Sequence, residues 1–429
     1  MGKRIFLITG AIFLCTSIIF SFSDYQKSLF IKAIRSVDSY VNIGVYILSP
    51  KQPCISYEKH IDRHFRPASC TKLFTAAAIL HELGAEYRYK TDLLFDGRQQ
   101  GNTLLGNVYL KAAGDPSFTR QDLEVLIIQL KSRGIVRIQG DICIDSSLFD
   151  GSRNQLFAAG VGVDDIGKRW NASTTALIID RNLTKGYDGY VIAREDPYQY
   201  AQQIIKDTLQ AQAIVCSGKI HGAQVPQGNV QVLAQHISEP IHELIAHMLK
   251  VSDNVYANAM FKLLGAKKSG LPGTWQNGIE AMQAFLKTTV GIDSSNMVIA
   301  DGAGLSLYNL ITPRQVVHLL DWIYKQSKFF ELFADCLAIS GIDGTLKERL
   351  VQYPGIIKAK TGTLLCGVTS LSGYFCPSKG APIIFSIMTN NFINNNRCSY
   401  EEDIEDKLCS LIVEFCCTSD NSAHTCVSS

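Results

Sequence analysis

Three short motifs in this chain carry residue types that can transfer an acyl group. Ser69 and Lys72 lie three positions apart in Pro67-Ala68-Ser69-Cys70-Thr71-Lys72. A helix starting there places both on one face. A serine nucleophile needs a base within hydrogen-bond reach, and a lysine held neutral can serve. Ser252-Asp253-Asn254 and Lys360-Thr361-Gly362-Thr363 follow in that order. Alone, each reads more simply: the first as a helix start, the second as a helix cap, the third as a turn. Together they supply a nucleophile, a buried base, a second hydroxyl, an amide and a cation for a carboxylate. In this reading Ser69 attacks a carbonyl and Lys72 takes its proton. Lys360, as a second cation nearby, and burial both disfavour charge on Lys72. Ser252 relays a proton to the leaving amine, and Asn254 holds the substrate amide. Lys360, Thr361 and Thr363 suit a terminal carboxylate. The N–H groups of Ser69 and Thr363 form an oxyanion hole, and Gly362 lets substrate approach the strand. No metal or other cofactor is called for.

The elements that must position these residues are legible in outline. Leu73, Ala76, Ala77 and Leu80 recur at helical spacing after Ser69, and Gly84 marks a left-handed stop. Tyr40–Leu48 reads as a strand, with a hairpin partner at Cys54–Tyr57. Further strands are expected at Tyr87–Leu94, Thr103–Ala112, Ile135–Ile144 and Ala176–Asp180, and helices at Leu123–Lys131 and Tyr198–Leu209. A helical block follows: Pro240–Leu249, Val255–Leu264 ended by Gly265, Ile279–Thr288 and Pro313–Gln326. Strands at Ile356–Ala359, Thr369–Phe375 and Ile383–Thr389 and a helix at Glu401–Cys416 close the chain. The order is strands and a helix, a mixed insert, helices, then strands again. It predicts an α/β (α+β) protein whose two chain ends form one domain, residues 24–95 and 240–416, interrupted by an inserted domain over 96–239. Residues 417–429 are polar and read as a disordered tail.

Composition narrows the class. The chain has 429 residues, 46% of them hydrophobic and 19% charged, with a net charge of +2. Lys3 and Arg4 account for that excess, so nothing marks a nucleic-acid partner. The same two residues open an export signal: Ile5–Phe20 is apolar and Ser21-Phe22-Ser23 offers a cleavage site before Asp24. The expected leader is 1–23 and the expected location periplasmic. An uncleaved anchor is the alternative, and the only membrane contact expected, although the apolar run is short for a span. Cys15 follows Phe13-Leu14, which does not suit a lipoprotein signal. Of 13 cysteines, all but Cys15 lie beyond the leader, and an exported chain can pair them. Their spacing fits no zinc site. His242-Glu243-Leu244-Ile245-Ala246-His247 is one position too long for a zinc-protease helix. Cys70 reads as a small buried residue. Asp145 and Asp150 could reach a substrate amino group, with turn roles as the alternative.

The ordered trio S-x-x-K, S-D-N and K-T-G matches the acyl-transferase set of penicillin-recognising enzymes. The wider text resembles the low-molecular-mass class C penicillin-binding proteins, which are D-alanyl-D-alanine carboxypeptidases and endopeptidases. The resemblance rests on Pro67-Ala68-Ser69, Leu83-Gly84, Gly106-Asn107-Val108-Tyr109-Leu110, Gly114-Asp115-Pro116, Gly140-Asp141 with Asp145, Asp301-Gly302-Ala303-Gly304-Leu305-Ser306 and Gly341-Ile342-Asp343-Gly344-Thr345-Leu346. It spans about residues 40 to 415. It implies a penicillin-binding-protein and serine β-lactamase-like fold, an antiparallel sheet flanked by helices. It also implies peptidoglycan stem peptides as substrates and β-lactams as inhibitors. The chain departs from the family in a short gap between Ser69 and Ser252. It also has Leu307 where an arginine lines the side-chain pocket, and Asn258 where an acid is usual. A β-lactamase or esterase using the same trio and a non-catalytic wall-binding protein are the competing readings.

Overall fold

The computed structural model describes residues 24–36, 41–51, 56–151, 167–270, 272–364, 367–377, 380–392 and 399–418. The expected leader over 1–23 lies outside them. So do residues 419–429 of the expected tail, whose first two residues end the closing helix Ser399–Thr418.

The first strands of the chain pair with the last. A six-stranded antiparallel sheet has the order Ala338–Ile339, Ile357–Leu364, Val368–Phe375, Ile383–Asn390, Asn42–Leu48, Ser56–Lys59. Val368–Phe375 and Ile383–Asn390 are buried at every position, because helices cover both faces. Successive side chains of a strand point to opposite faces. Tyr374, Ile384 and Met388 pack into the larger core with Leu73, Val317 and Leu320. Leu371, Phe375, Phe385 and Ile387 pack against Phe30 of the helix Asp24–Arg35 and Ile404 and Leu408 of the closing helix. Arg349 anchors that closing helix through Glu405 at 3.0 Å and Asp406 at 2.7 Å.

The inserted segment builds a five-stranded sheet, a four-stranded sheet and a two-stranded ribbon of Leu183–Lys185 with Val191–Ala193. Five strands run in the order Ile220–Gly222, Ile142–Asp145, Val108–Lys111, Lys90–Phe95, Gln231–Ile237, mixing parallel and antiparallel pairs. Four shorter ones run Val215–Cys216, Arg137–Gln139, Thr103–Leu105, Arg98–Gln100. Lys90–Phe95 thus pairs within this unit. The helices Arg120–Ser132 and Pro197–Ala211 pack beside the sheets through Leu126, Leu130, Ile204 and Ile205.

Several elements differ from the sequence reading. Ala176–Ile179 is buried but is not a strand; the Ala176 carbonyl accepts from Gly114 N–H, and Asp180–Asn182 is a 3₁₀ turn. A short apolar run buries equally well in either form. The expected strand Thr103–Ala112 is two, split at Gly106 with φ +144°. The second helix of the helical block does not end at Gly265 but spans Asn254–Ser269. Gly265 is there for close packing: a Cβ on it would lie 2.6 Å from Gly278 N in the helix Trp275–Phe285. The helices Asp24–Arg35 and Ser327–Cys336 and the strand Gln231–Ile237 had no sequence expectation.

Candidate active site

Ser69 sits in a 3₁₀ turn, Ala68–Cys70, that runs into the helix Thr71–Leu83. Residues Thr71 to Leu80 of that helix are all buried. It is apolar all round because it is the central helix of the domain. Ser69 therefore precedes the first α-helical turn instead of lying within it. Ala68 carries φ +48°, which a side-chain-bearing residue rarely adopts. The surroundings hold it there. Ser370 Oγ donates to the Pro67 carbonyl at 2.6 Å, and Cys70 Sγ donates to the Lys360 carbonyl at 3.2 Å. Thr71 Oγ1 donates to the Ala68 carbonyl at 2.9 Å. Cys70 is a fully buried thiol, raised by burial, which suits this structural task.

Lys72 is fully buried. Its Nζ lies 2.9 Å from Ser69 Oγ, 2.7 Å from Asn254 Oδ1 and 2.7 Å from the Ala303 carbonyl. Burial, and then the Lys360 ammonium, push its pKa well below the usual lysine value, against an opposing pull from Asp301 and Asp253. Among the described residues no carboxylate pairs with it. Asp301 spends its oxygens on its own loop, accepting from Gly304 N–H at 2.6 Å and Ser306 N–H at 2.7 Å. Asp253 caps the helix Asn254–Ser269 through Val255 N–H at 2.9 Å and pairs with Arg181 at 3.0 Å.

Ser252 ends the helix Ile241–Val251 in the left-handed region, φ +63°. The three bonds of Lys72 Nζ go elsewhere, so the structure does not bring Ser252 into hydrogen-bond contact with that amine. Asn254 is brought in: its Oδ1 accepts from Lys72 while its Nδ2 donates to the Trp170 carbonyl at 2.8 Å.

The strand Ile357–Leu364 carries the third motif. Lys360 is fully buried, and burial lowers its pKa to about 8. Its Nζ donates to the Thr361 carbonyl at 2.7 Å, and Thr361 Oγ1 to Thr345 Oγ1 at 2.7 Å. Gly362 has a role the sequence reading did not give it. A Cβ there would lie 2.4 Å from Ser370 Oγ and 2.9 Å from Ser69 N. The glycine admits the Ser69 turn. The Ser340 N–H bonds to the Ile357 carbonyl at 2.9 Å, so odd-numbered residues aim their backbone groups at the outer side of this strand. The strand Ala338–Ile339 covers that side only opposite Lys358 and Ala359. Thr361 and Thr363 lie beyond its end, and among the described residues no strand pairs with them on that side, leaving an edge that can take an extended peptide. Thr363 is exposed.

The loop Asp301–Ser306 was legible only as a resemblance. Its physical task is support. Gly304, φ +82°, presses on the Ser69 turn, and a Cβ on it would lie 1.7 Å from the Ala68 carbonyl. Thr75 Oγ1 donates to the Gly302 carbonyl at 2.8 Å. The carbonyls of Ala303 and Trp170 had no sequence signal, because a backbone acceptor carries no residue type.

Asp145 and Asp150 are occupied. Asp145 accepts from Ser147 N–H and Val225 N–H, both at 2.9 Å. Asp150 pairs with the buried Lys262 at 2.7 Å. His242 and His247 have separate partners, the Ala85 carbonyl at 3.1 Å and the Tyr256 ring at 4.5 Å. Cys70, Cys143, Cys216, Cys336, Cys376 and Cys409 are free thiols.

The model of the D-Ala-D-Ala carboxypeptidase 3 (S13) family matches residues 36–188 and 185–412. The chain belongs to this family. It is a serine-type carboxypeptidase, a hydrolase, and neither the β-lactamase or esterase reading nor the non-catalytic one finds support. D-alanyl-D-alanine carboxypeptidase DacB of Haemophilus influenzae is 29% identical, over 87% of this chain and 93% of the relative. A D-alanyl-D-alanine carboxypeptidase of Actinomadura sp. (strain R39) is 25% identical, over 78% and 75%. The crystal structure of penicillin binding protein 4 (dacB) from H. influenzae superposes with a TM-score of 0.80 at 25% identity, covering 88% of this chain and 97% of that one. A second structure of that protein, complexed with a β-lactam, gives 0.76. The fold is therefore that of the penicillin-binding proteins, as the motifs implied. Among the described residues no helix is long and apolar enough to cross a membrane.

Proposed function

We propose that this carboxypeptidase acts on the D-Ala-D-Ala end, or a D-Ala cross-link, of peptidoglycan stem peptides, with Ser69 as the nucleophile. The supporting observation is the Lys72 amine, fully buried, paired to no described carboxylate and 2.9 Å from Ser69 Oγ. A neutral amine has two N–H groups and one lone pair. The Asn254 and Ala303 oxygens match the two donors, which leaves the lone pair for the Ser69 hydroxyl proton.

The steps follow from that. Ser69 Oγ bonds to the carbonyl carbon as its proton passes to Lys72 Nζ. The oxyanion lies against the N–H groups of Ser69 and Thr363. The leaving amine takes a proton through Ser252, D-alanine or the cross-linked amine departs, and water cleaves the acyl-enzyme. Ser252 must draw closer to the amine once substrate is bound, as such bonds commonly tighten in the complex. Lys360 and Thr361, with Thr363, hold the terminal carboxylate, and Asn254 the amide. The inserted unit, which we take to begin ahead of Lys90, sets one wall of the site through Trp170. The enzyme is exported to the periplasm, and β-lactams acylate the same serine.

Purified muropeptides report the reaction directly. Loss of terminal D-alanine from pentapeptides marks carboxypeptidase action, and conversion of cross-linked dimers to monomers marks endopeptidase action. Neither product, from enzyme that still folds, would overturn the proposal.

A further inference from the structure

A side chain of the inserted unit reaches the Ser252-Asp253-Asn254 joint. It belongs to Arg181, in the middle of the turn Asp180–Asn182. That turn is left-handed throughout, with φ of +50°, +59° and +53°. Aspartate and asparagine visit this conformation more readily than arginine does. The two flanking residues hold the turn in place. Asp180 Oδ1 accepts from Arg120 N–H at 3.1 Å, and its Oδ2 accepts from the Tyr200 hydroxyl at 3.2 Å. Asn182 is fully buried. Its Nδ2 donates to the Ser173 carbonyl at 2.9 Å, and its Oδ1 accepts from Ile179 N–H at 3.2 Å. Arg181 spends its side chain outside the turn: Nη1 donates to Asp253 Oδ2 at 3.0 Å.

Asp253 is where that contact acquires a consequence. Its Oδ1 accepts from Val255 N–H at 2.9 Å and Tyr256 N–H at 3.3 Å, and its own N–H donates to the Met248 carbonyl at 3.1 Å. The residue thus ties the end of the helix Ile241–Val251 to the start of Asn254–Ser269, with Ser252 and Asn254 on either side of it. His247 Nε2 lies 3.5 Å from Oδ2. Burial alone would raise the Asp253 carboxyl, but the His247 and Arg181 side chains hold it below the usual carboxylate value. It is therefore ionised at neutral pH, and its charge favours a proton on Lys72. Lys72 also faces Lys360 on its strand, Asp301 and the Ala303 carbonyl on their loop, Asn254 at its helix start and Cys70 on its own turn. Among the described residues Arg181 is the one lysine or arginine paired with Asp253.

We propose that Arg181 is a positioning residue for acylation: it clamps the Asp253 carboxylate, so that Ser252 and Asn254 keep their places, and it sets a positive charge against that carboxylate beside Lys72. This rests on the assignment of Ser69 as nucleophile and Lys72 as its base. Arg181 acts through Asp253 and not on the substrate. Without it, the Asp253 charge is opposed on that side by His247 alone, and Lys72 keeps its proton to a higher pH. The joint also loses the anchor that comes from the inserted unit. A lysine at 181 keeps the charge but gives up the planar fork of donors, whereas a glutamine keeps a donor and gives up the charge.

The test measures the second-order rate of acylation by a labelled penicillin from pH 5 to 9, for wild type, Arg181→Gln, Arg181→Lys and Arg181→Ala. In wild type the rate should climb with pH as Lys72 deprotonates. Arg181→Gln should move that acid limb up by about half a pH unit, a loss of about threefold on the acid side, with the plateau nearly kept. Arg181→Ala should show the same displacement and a plateau about tenfold lower, because the joint is loosened as well. Arg181→Lys should restore the limb and most of the plateau. A limb that stays in place in both Arg181→Gln and Arg181→Ala overturns the proposal, as does an Arg181→Lys no faster than Arg181→Ala. A lower melting temperature for Arg181→Ala with an unchanged pH profile also overturns it, since Arg181 would then only brace the inserted unit. If Arg181→Ala does not fold, the limb of Arg181→Gln against that of Arg181→Lys decides. A wild type that takes no penicillin is a different failure: the assignment of Ser69 and Lys72 falls, and this proposal with it.

Discussion

The reactivity assigned to Lys72 depends on what its neighbours do with their own charges. Asp301 and Asp253 are near enough to hold its proton on, yet both are committed to backbone N–H groups. Lys360, by contrast, keeps its charge at neutral pH. Burial lowers it only to about 8, so it is protonated below that pH and neutral above it. A pH profile should show the consequence. kcat/KM for a carboxylate-terminated peptide should rise as Lys72 deprotonates and fall through about pH 8 as Lys360 loses its proton. A profile flat from pH 7 to 10 would contradict that role for Lys360. Both lysines have lowered values in the folded state, so the folded protein binds fewer protons than the unfolded chain above about pH 8. Their contribution to stability therefore grows as pH rises toward the ordinary lysine range. The glycines offer a second residue-level test. Gly304 and Gly84 have similar positive φ values, +82° and +76°, but only Gly304 has neighbours where a Cβ would go. Gly84, at φ +76° and ψ 160°, lies in a region that only glycine adopts readily, so Gly84→Ala should cost about 1–3 kcal/mol of stability and leave activity intact. Gly304→Ala should displace the Ala68 carbonyl and lower acylation about 100-fold. Equal effects in melting and acylation assays would show that the contact with Ala68 does not position the nucleophile.

At the scale of elements, the site is a junction of one helix start, one helix end and one strand edge, braced by a loop. The helix Thr71–Leu83 was legible because its apolar residues recur and Gly84 stops it. The strand Ile357–Leu364 was legible in part, since the K-T-G motif continues past its apolar start. The limits of the helix Asn254–Ser269 were not, because Gly265 at a close helix crossing and a glycine at a helix end look alike in sequence. Asp150 is a similar case. A carboxylate near a candidate site invites a substrate role, yet Lys262, fully buried, takes it as a partner and lies over the Trp275 ring at 5.2 Å. Asp150→Ala should destabilise the protein by about 3–5 kcal/mol, by leaving that ammonium buried and unpaired. Lys262→Met should cost much less, since it removes the charge and keeps the volume. Denaturant titration of both variants separates this bracing role from a substrate role, which predicts little loss of stability in either.

At the scale of the molecule, residues far apart in the chain meet because its first strands pair with its last. Asn42–Leu48 lies against Ile383–Asn390, and the helix Thr71–Leu83 then runs behind a sheet whose other strands come hundreds of residues later. Motif order implies this closure, since one helix pattern and one strand pattern cannot form a site unless the chain returns. What stayed hidden was the bracing: the Ala303 and Trp170 carbonyls and the contact of Gly362 with the Ser69 amide. Each depends on backbone placement that no residue type announces. The central claim, that Ser69 is an acylated nucleophile activated by Lys72, is tested most directly by intact-protein mass spectrometry after incubation with a labelled penicillin. Wild type should gain one penicillin mass, located on Ser69, and Ser69→Ala and Lys72→Ala should gain none. An unlabelled wild type, or an equal adduct on Ser69→Ala, would contradict it.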